Sequence, residues 1–209
     1  MSTRPYDSTR RRQQAEATRT AVLDAGRSLF ADRGYAATTV ADIAASAGVA
    51  PATVNAAFGG KAGLLKRLID IAIAGDDQPM PVSEREIARQ VAAETDPRRQ
   101  IALLVGSLTE THERLAELHD VVAQAAGTDE DVRAEMVRGQ QRRRVGMAEF
   151  VALVDPDTLA VDAETAADIV WALTDPRMYL GLVGERGWAK EQYGQWLEKQ
   201  LEAALLRAA

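Results

Sequence analysis

Thr39 to Lys61 reads TVADIAASAGVAPATVNAAFGGK, and the spacing inside this stretch decides the fold. Val40-Ala41-Asp42-Ile43-Ala44 is a short helical run that a preceding Thr can cap, and Gly48 ends it. Pro51 suits the first turn of a further helix, where its missing N–H costs nothing. Gly59-Gly60 then stop that helix. A short helix, a Gly-containing turn and a second short helix have the spacing of a helix-turn-helix. Ile43, Ala44, Val49, Val54 and Phe58 supply the apolar positions that fix the angle between the two helices. The exposed side of the second is left free to enter a major groove. Any αα-hairpin can share this spacing, so the flanks carry weight.

Upstream, Arg12 to Arg33 places Ala15, Val22, Ala25, Leu29 and Phe30 on one helical face, with Gly34 as the stop. Downstream, Lys61 to Ala74 turns Leu64, Leu65, Leu68, Ile69 and Ile73 inward. Gly75-Asp-Asp-Gln-Pro-Met-Pro81 is a linker by composition. It divides the chain into a helix-turn-helix domain, 1–75, which includes the fourth, linking helix, and a helical regulatory and dimerisation domain, 76–209. In the second part Ser83 and Glu86 have the spacing of a capping box for a short helix to about Glu94. Asp96-Pro97 opens a long helix through Leu118, Asp129 starts another to Val154, and the last runs from Lys190 to Arg207. No stretch alternates as a strand does, so the predicted fold is all-α.

Composition narrows the function classes. The 209 residues are 46% apolar, 27% charged and only 5% aromatic, ordinary for a soluble globular chain. The absence of cysteine excludes disulfides, thiol redox sensing and thiolate metal sites. No apolar run approaches the roughly 20 residues of a membrane span. The polar, basic start has no apolar segment behind it, so no secretory signal is expected and a cytoplasmic location is. The net charge of −6 is unevenly placed. Residues 1–75 carry ten Lys and Arg against six Asp and Glu, a net +4, and the remainder carries 15 against 25, a net −10. A basic head on an acidic body is the asymmetry expected when one end meets phosphates. Gly60-Lys61 fails as a phosphate-binding loop, because that motif wants Gly at 55 and Ser or Thr at 62, where Asn55 and Ala62 stand. His112 and His119, taken as one helix, are separated by about 10 Å of rise, too far to share a metal. No catalytic constellation, cofactor motif or metal site is expected. The competing class is a helical adaptor without sequence-specific DNA binding, which has no need of a basic head.

Ala25-Gly-Arg-Ser-Leu-Phe-Ala-Asp-Arg-Gly-Tyr, then Thr38-Thr-Val-Ala-Asp-Ile-Ala44, Ala47-Gly-Val49, Thr53-Val54, Phe58 and Lys61-Ala-Gly-Leu-Leu65 together resemble the TetR/AcrR family of transcriptional regulators. The resemblance spans about residues 12–70. It implies a three-helix DNA-binding head, a helical regulatory body, a homodimer, and repression of an operator relieved by a small-molecule effector. Carried onto this chain, it implies DNA contacts at Thr38, Thr39, Ala50, Pro51, Ala52, Thr53, Asn55 and Lys61. Thr39 stands where a hydroxyl and a backbone N–H meet a phosphate, and Lys61 where a phosphate-binding lysine heads the fourth helix. The chain departs from the family at Asn55, where Tyr is usual, at Ala57, where an aromatic or His is usual, and at Ala50, where a capping Ser or Thr is common. These departures remove bulky phosphate contacts and leave a small recognition surface. Asn55 either pairs with adenine N6 and N7 or meets a phosphate or solvent. Arg10-Arg11-Arg12 and Arg19 contribute non-specific attraction to DNA.

Two expectations concern the body. Tyr193, Trp196, Leu197, Leu201, Ala204 and Leu205 make an apolar stripe on the last helix. It packs either on its own domain or, as the resemblance implies, on a partner's helix. Trp171, Met178 and Tyr179 around Pro176, with His112, Met136, Met147 and Phe150 from the long helices, are the candidate ligand-binding residues. Met and aromatic stripes are equally the material of a plain core.

Overall fold

A computed structural model describes residues 8–78 and 80–207. Among them every regular element is helical, apart from one isolated antiparallel bridge between Leu159 and Leu206. The α-helices are α1 Ser8–Ala37, α2 Val40–Ser46, α3 Pro51–Phe58, α4 Lys61–Ala74, α5 Glu86–Ala93, α6 Pro97–Ala116, α7 His119–Thr128, α8 Glu130–Val151, α9 Ala163–Leu173, α10 Pro176–Tyr179 and α11 Lys190–Leu205. A π-turn, Leu180–Glu185, follows α10. No described helix is long and apolar enough to cross a membrane.

The chain forms two compact units. The first runs to Ile69 and also takes in Asp120–Arg133; the second comprises Asp70–His119 and the chain from Ala134 onward. The segment 120–133 cannot be assigned to the head from sequence, because its Val121, Ala125 and Val132 are buried as any helix core residues would be.

In the first unit the expected ends of α2, α3 and α4 are where the glycines and Pro51 put them. Gly34 breaks α1 as expected. Its φ of 76° and ψ of 168° are non-helical, and a short helical turn resumes beyond it to Ala37. A Cβ there would lie 2.6 Å from Oε1 of Gln124, so both conformation and space demand glycine. Val22, Phe30, Tyr35, Ile43, Val54, Leu64, Leu65 and Leu68 are buried, whereas Ala15 and Ile73 are exposed. The tightest junction lies where α3 hands over to α4: a Cβ on Gly63 would sit 1.8 Å from the Phe58 carbonyl oxygen.

The second unit is built on α6, α9 and α11. Val91, Ile101, Val105, Phe150, Val170, Tyr193, Leu197, Leu201 and Leu205 form its core. The apolar stripe of α11 therefore packs within its own unit, with Tyr193, Leu197 and Leu201 fully buried and Trp196 half-exposed. Of the two alternatives, packing within the unit takes up Tyr193, Leu197, Leu201 and Leu205 of the stripe, while Ala204, like Trp196, stays half-exposed. Two corrections are local. Arg85, not Ser83, is the N-cap of α5, and no side chain caps that helix. The helix opened by Asp96 ends at Ala116, so His112 and His119 stand on different helices. Arg85 donates to both carboxylate oxygens of Asp76, at 2.8 and 3.0 Å.

Gly63→Ala should destabilise the protein by about 1–3 kcal/mol, the usual cost of forcing atoms into a filled junction. Gly146, whose added Cβ would meet nothing within 4 Å, should instead gain about 0.5–1 kcal/mol as Ala through helix propensity. Urea unfolding of the two variants checks the pair; equal effects would refute the close approach at Phe58.

Candidate nucleic-acid interface

The outward face of α3 is set by what holds α2 and α3. Ile43, Ala44 and Val54 are buried, which fixes the two helices against the head and turns the opposite side of α3 outward. Ala50, Pro51, Ala52, Asn55, Ala56 and Ala57 are exposed, and Thr53 and Phe58 are half-buried. Arg19 of α1 stacks on the Phe58 ring at 4.8 Å, tying the end of α3 to α1.

The threonines separate into two roles. Thr38 is buried, and its single hydroxyl proton lies between the Gly34 carbonyl at 2.8 Å and the Leu29 carbonyl at 3.2 Å. It closes the turn after α1, so the expectation that Thr38 contacts DNA is corrected. Thr39 is exposed and caps α2. The Asp42 N–H donates to Thr39 Oγ1 at 3.1 Å, while Asp42 Oδ2 accepts from the Thr39 N–H at 3.0 Å and its hydroxyl at 2.6 Å. Those donations, the hydroxyl's first, hold the Asp42 carboxyl below its ordinary range. Both donors that the resemblance assigned to a phosphate are thus engaged by a carboxylate.

Lys61 begins α4 and is half-buried. Its ammonium donates to the Tyr35 carbonyl at 2.8 Å and lies 4.0 Å from the centre of the Tyr35 ring. Tyr35 is buried and donates its hydroxyl to Asp129 Oδ2 at 2.6 Å. Burial, and after it the neighbouring Asp129 carboxylate, push the Tyr35 hydroxyl's pKa up, and the same hydrogen bond draws that of Asp129 down. Asp129 also receives the N–H groups of Asp131 and Val132 at 3.0 and 3.3 Å, as the N-terminal turn of α8 requires. Tyr35 and Asp129 were not singled out from sequence. The Gly34-Tyr35 pair was visible there, but the partner lies 94 residues away.

The candidate ligand-binding residues lie in the second unit. His112 is buried, with Nδ1 3.2 Å from the Tyr193 hydroxyl and the Thr174 carbonyl as its other partner. Burial first, and the charge of Arg143 second, lower its pKa to about 4, so it is neutral at physiological pH. The Thr174 carbonyl must receive the ring N–H, which leaves Nδ1 to accept from Tyr193. Tyr179 packs edge-on to both rings, at 6.1 Å from His112 and 5.0 Å from Tyr193. Met147 and Phe150 belong to the same core, against which Trp171 and Met178 are packed. Arg143 lies 4.7 Å from the Trp171 ring and donates to its carbonyl at 2.6 Å. Met136 stands apart and is 40% exposed. An open groove of about 230 Å³ runs between α6 and α11, lined by Val105, Gly106, Thr109, Glu110, Lys190 and Gly194 among others, and none of the candidates lines it. Among the described residues no group of three His, Cys, Asp or Glu side chains could hold a metal ion.

Two short helices on a buried support, with one face of the second exposed, define a helix-turn-helix head. Residues 22–68 match the family described as bacterial regulatory proteins, tetR family. Among curated proteins none matches the chain. Among solved structures it is similar to SmeT in complex with triclosan, at 20% identity and a TM-score of 0.71, covering 92% of this chain and 93% of that one. It is also similar to NalD, the secondary repressor of the MexAB-OprM multidrug efflux pump in Pseudomonas aeruginosa, at 21% identity and a TM-score of 0.71 over 94% and 100% of the two chains. A transcriptional regulator from Saccharomonospora viridis in complex with choline aligns at 20% identity and a TM-score of 0.64, over 92% and 99%. Residues 22–68 thus match the DNA-binding part of the tetR family, and the chain as a whole shares the fold of these solved proteins.

Tyr35→Phe should cost about 1–1.5 kcal/mol at pH 7, the low end for a bond to a charged acceptor because Asp129 is half exposed. Asp129 has its pKa lowered in the folded state, so this stabilisation is present above its ordinary value of 3.8 and lost as pH falls through the lower, folded one. The gap between wild type and variant in urea unfolding should therefore narrow below about pH 4. A gap that is constant with pH, or absent at pH 7, would show that the bond carries no stability.

Proposed function

We propose that this protein is a DNA-binding transcriptional regulator that represses as a homodimer and leaves its operator when a small molecule binds its second unit. The observation that carries the reading is the exposed face of α3, held rigidly by buried Ile43, Ala44 and Val54 in a head of net positive charge. Two such heads are needed to address successive major-groove turns on one side of a duplex. The basic residues of α1 and α4 supply attraction to phosphates, while Ala50, Pro51, Ala52, Thr53 and Asn55 face the bases. Lys61 serves a phosphate only at the expense of its bond to Tyr35.

The effector part of the reading is supported by the triclosan and choline complexes of similarly folded proteins. In this chain Trp171, Met178 and Tyr179 of the second unit, with His112, Met147 and Phe150, are the residues an effector would meet on opening that core; Met136 would meet one only from outside. A ligand can lower DNA affinity only through a conformation that the two occupants favour unequally, and the coupling is reciprocal.

A gel-shift assay on DNA from immediately upstream of the protein's own gene tests the core of this reading. Binding should be specific, and affinity should fall at least about tenfold between about 50 and 200 mM salt as counterions are released. No specific complex there or at any genomic fragment would favour the adaptor class. For the effector, any compound found to raise the melting temperature should weaken operator binding, and saturating operator should weaken that compound by the same factor. Equal ligand affinity with and without operator would retire the sensing role.

A further inference from the structure

Between Arg33 and Lys61 the chain has no lysine or arginine. Every cation of the head therefore lies outside the helix-turn-helix itself. In the major groove guanine presents two acceptors, O6 and N7, and a bidentate Arg or Lys is their usual partner. α3 carries neither. Its exposed side chains are Pro51, Ala52, Asn55, Ala56 and Ala57, with Val54 buried and Thr53 half-buried. Ala52 and Ala56 are four residues apart and so share one helical face. A methyl group forms no hydrogen bond, and the one apolar group that a base pair offers in the major groove is the thymine C5-methyl. Alanine's shortness also allows the helix backbone to approach the base edges closely, which a methyl–methyl contact within about 4.5 Å requires. Asn55, the exposed polar side chain of α3, is suited to adenine, so hydrogen bonding and apolar contact both favour A·T pairs.

We propose that α3 reads thymine methyl groups through Ala52 and Ala56, so that each operator half-site is fixed at A·T pairs and no guanine is held by a charged side chain of this helix. The inference rests on the regulator reading and names its substrate: duplex DNA selected for a methyl pattern.

The test uses the full-length protein and two random-sequence duplex libraries, one with thymidine and one with deoxyuridine, which pairs identically but lacks the C5-methyl. Selection from the first should yield a two-fold symmetric site with thymine fixed in each half. Replacing those thymidines singly by deoxyuridine should weaken binding about fourfold each, the factor for burying one methyl-sized group. Ala56→Gly, confirmed folded by circular dichroism, should lose the thymidine–deoxyuridine difference at one position per half-site. A selected site fixed by guanine, with affinity unchanged by deoxyuridine, would overturn the proposal while leaving the regulator reading intact. Enrichment of no sequence from either library would overturn both.

Discussion

Three contacts of the head meet at one residue, Tyr35. Its ring is buried beside Phe30 at 5.5 Å, its carbonyl holds the Lys61 ammonium, and its hydroxyl is given to Asp129. Those three contacts join the end of α1, the start of α4 and the α7–α8 corner. The orientation of α3 follows, because α4 begins immediately after it and Gly63 lies against the Phe58 carbonyl. A helix of eight residues has little stability of its own, so the outward face of α3 is fixed by the neighbours that hold its buried one.

The same arrangement explains why the segment 120–133 belongs with the head. Gln124 packs against Gly34 and Asp129 bonds Tyr35, so this corner of the chain shares the head's packing although it is distant in sequence. α4 and α8 each continue from one unit into the other.

What the sequence made legible was local. Pro51 at the start of α3, the Gly59-Gly60 stop and a threonine cap before α2 are short-range signals, and the structure has each. The sequence could not tell Thr38 from Thr39, adjacent and chemically identical, because only the fold turns one toward the Gly34 carbonyl and the other toward Asp42. Lys61 was legible as a cation at a helix start, but its carbonyl partner on Tyr35 was not. In the second unit the α11 stripe had the periodicity of a buried face without saying which neighbour buries it; α6 and α9 do. His112 had an equally open reading until its Tyr193 and Thr174 partners showed a satisfied core histidine.

The central claim is that DNA is met by the outward face of α3, supported by the Tyr35 hub. Amide hydrogen exchange of the protein with and without a duplex carrying its selected site tests it directly. Protection should appear across residues 40–58 and the first turn of α4, with the exposed surfaces of α6 and α11 unchanged on the DNA-bound timescale. Protection confined to the second unit, or none within α3, would contradict the account.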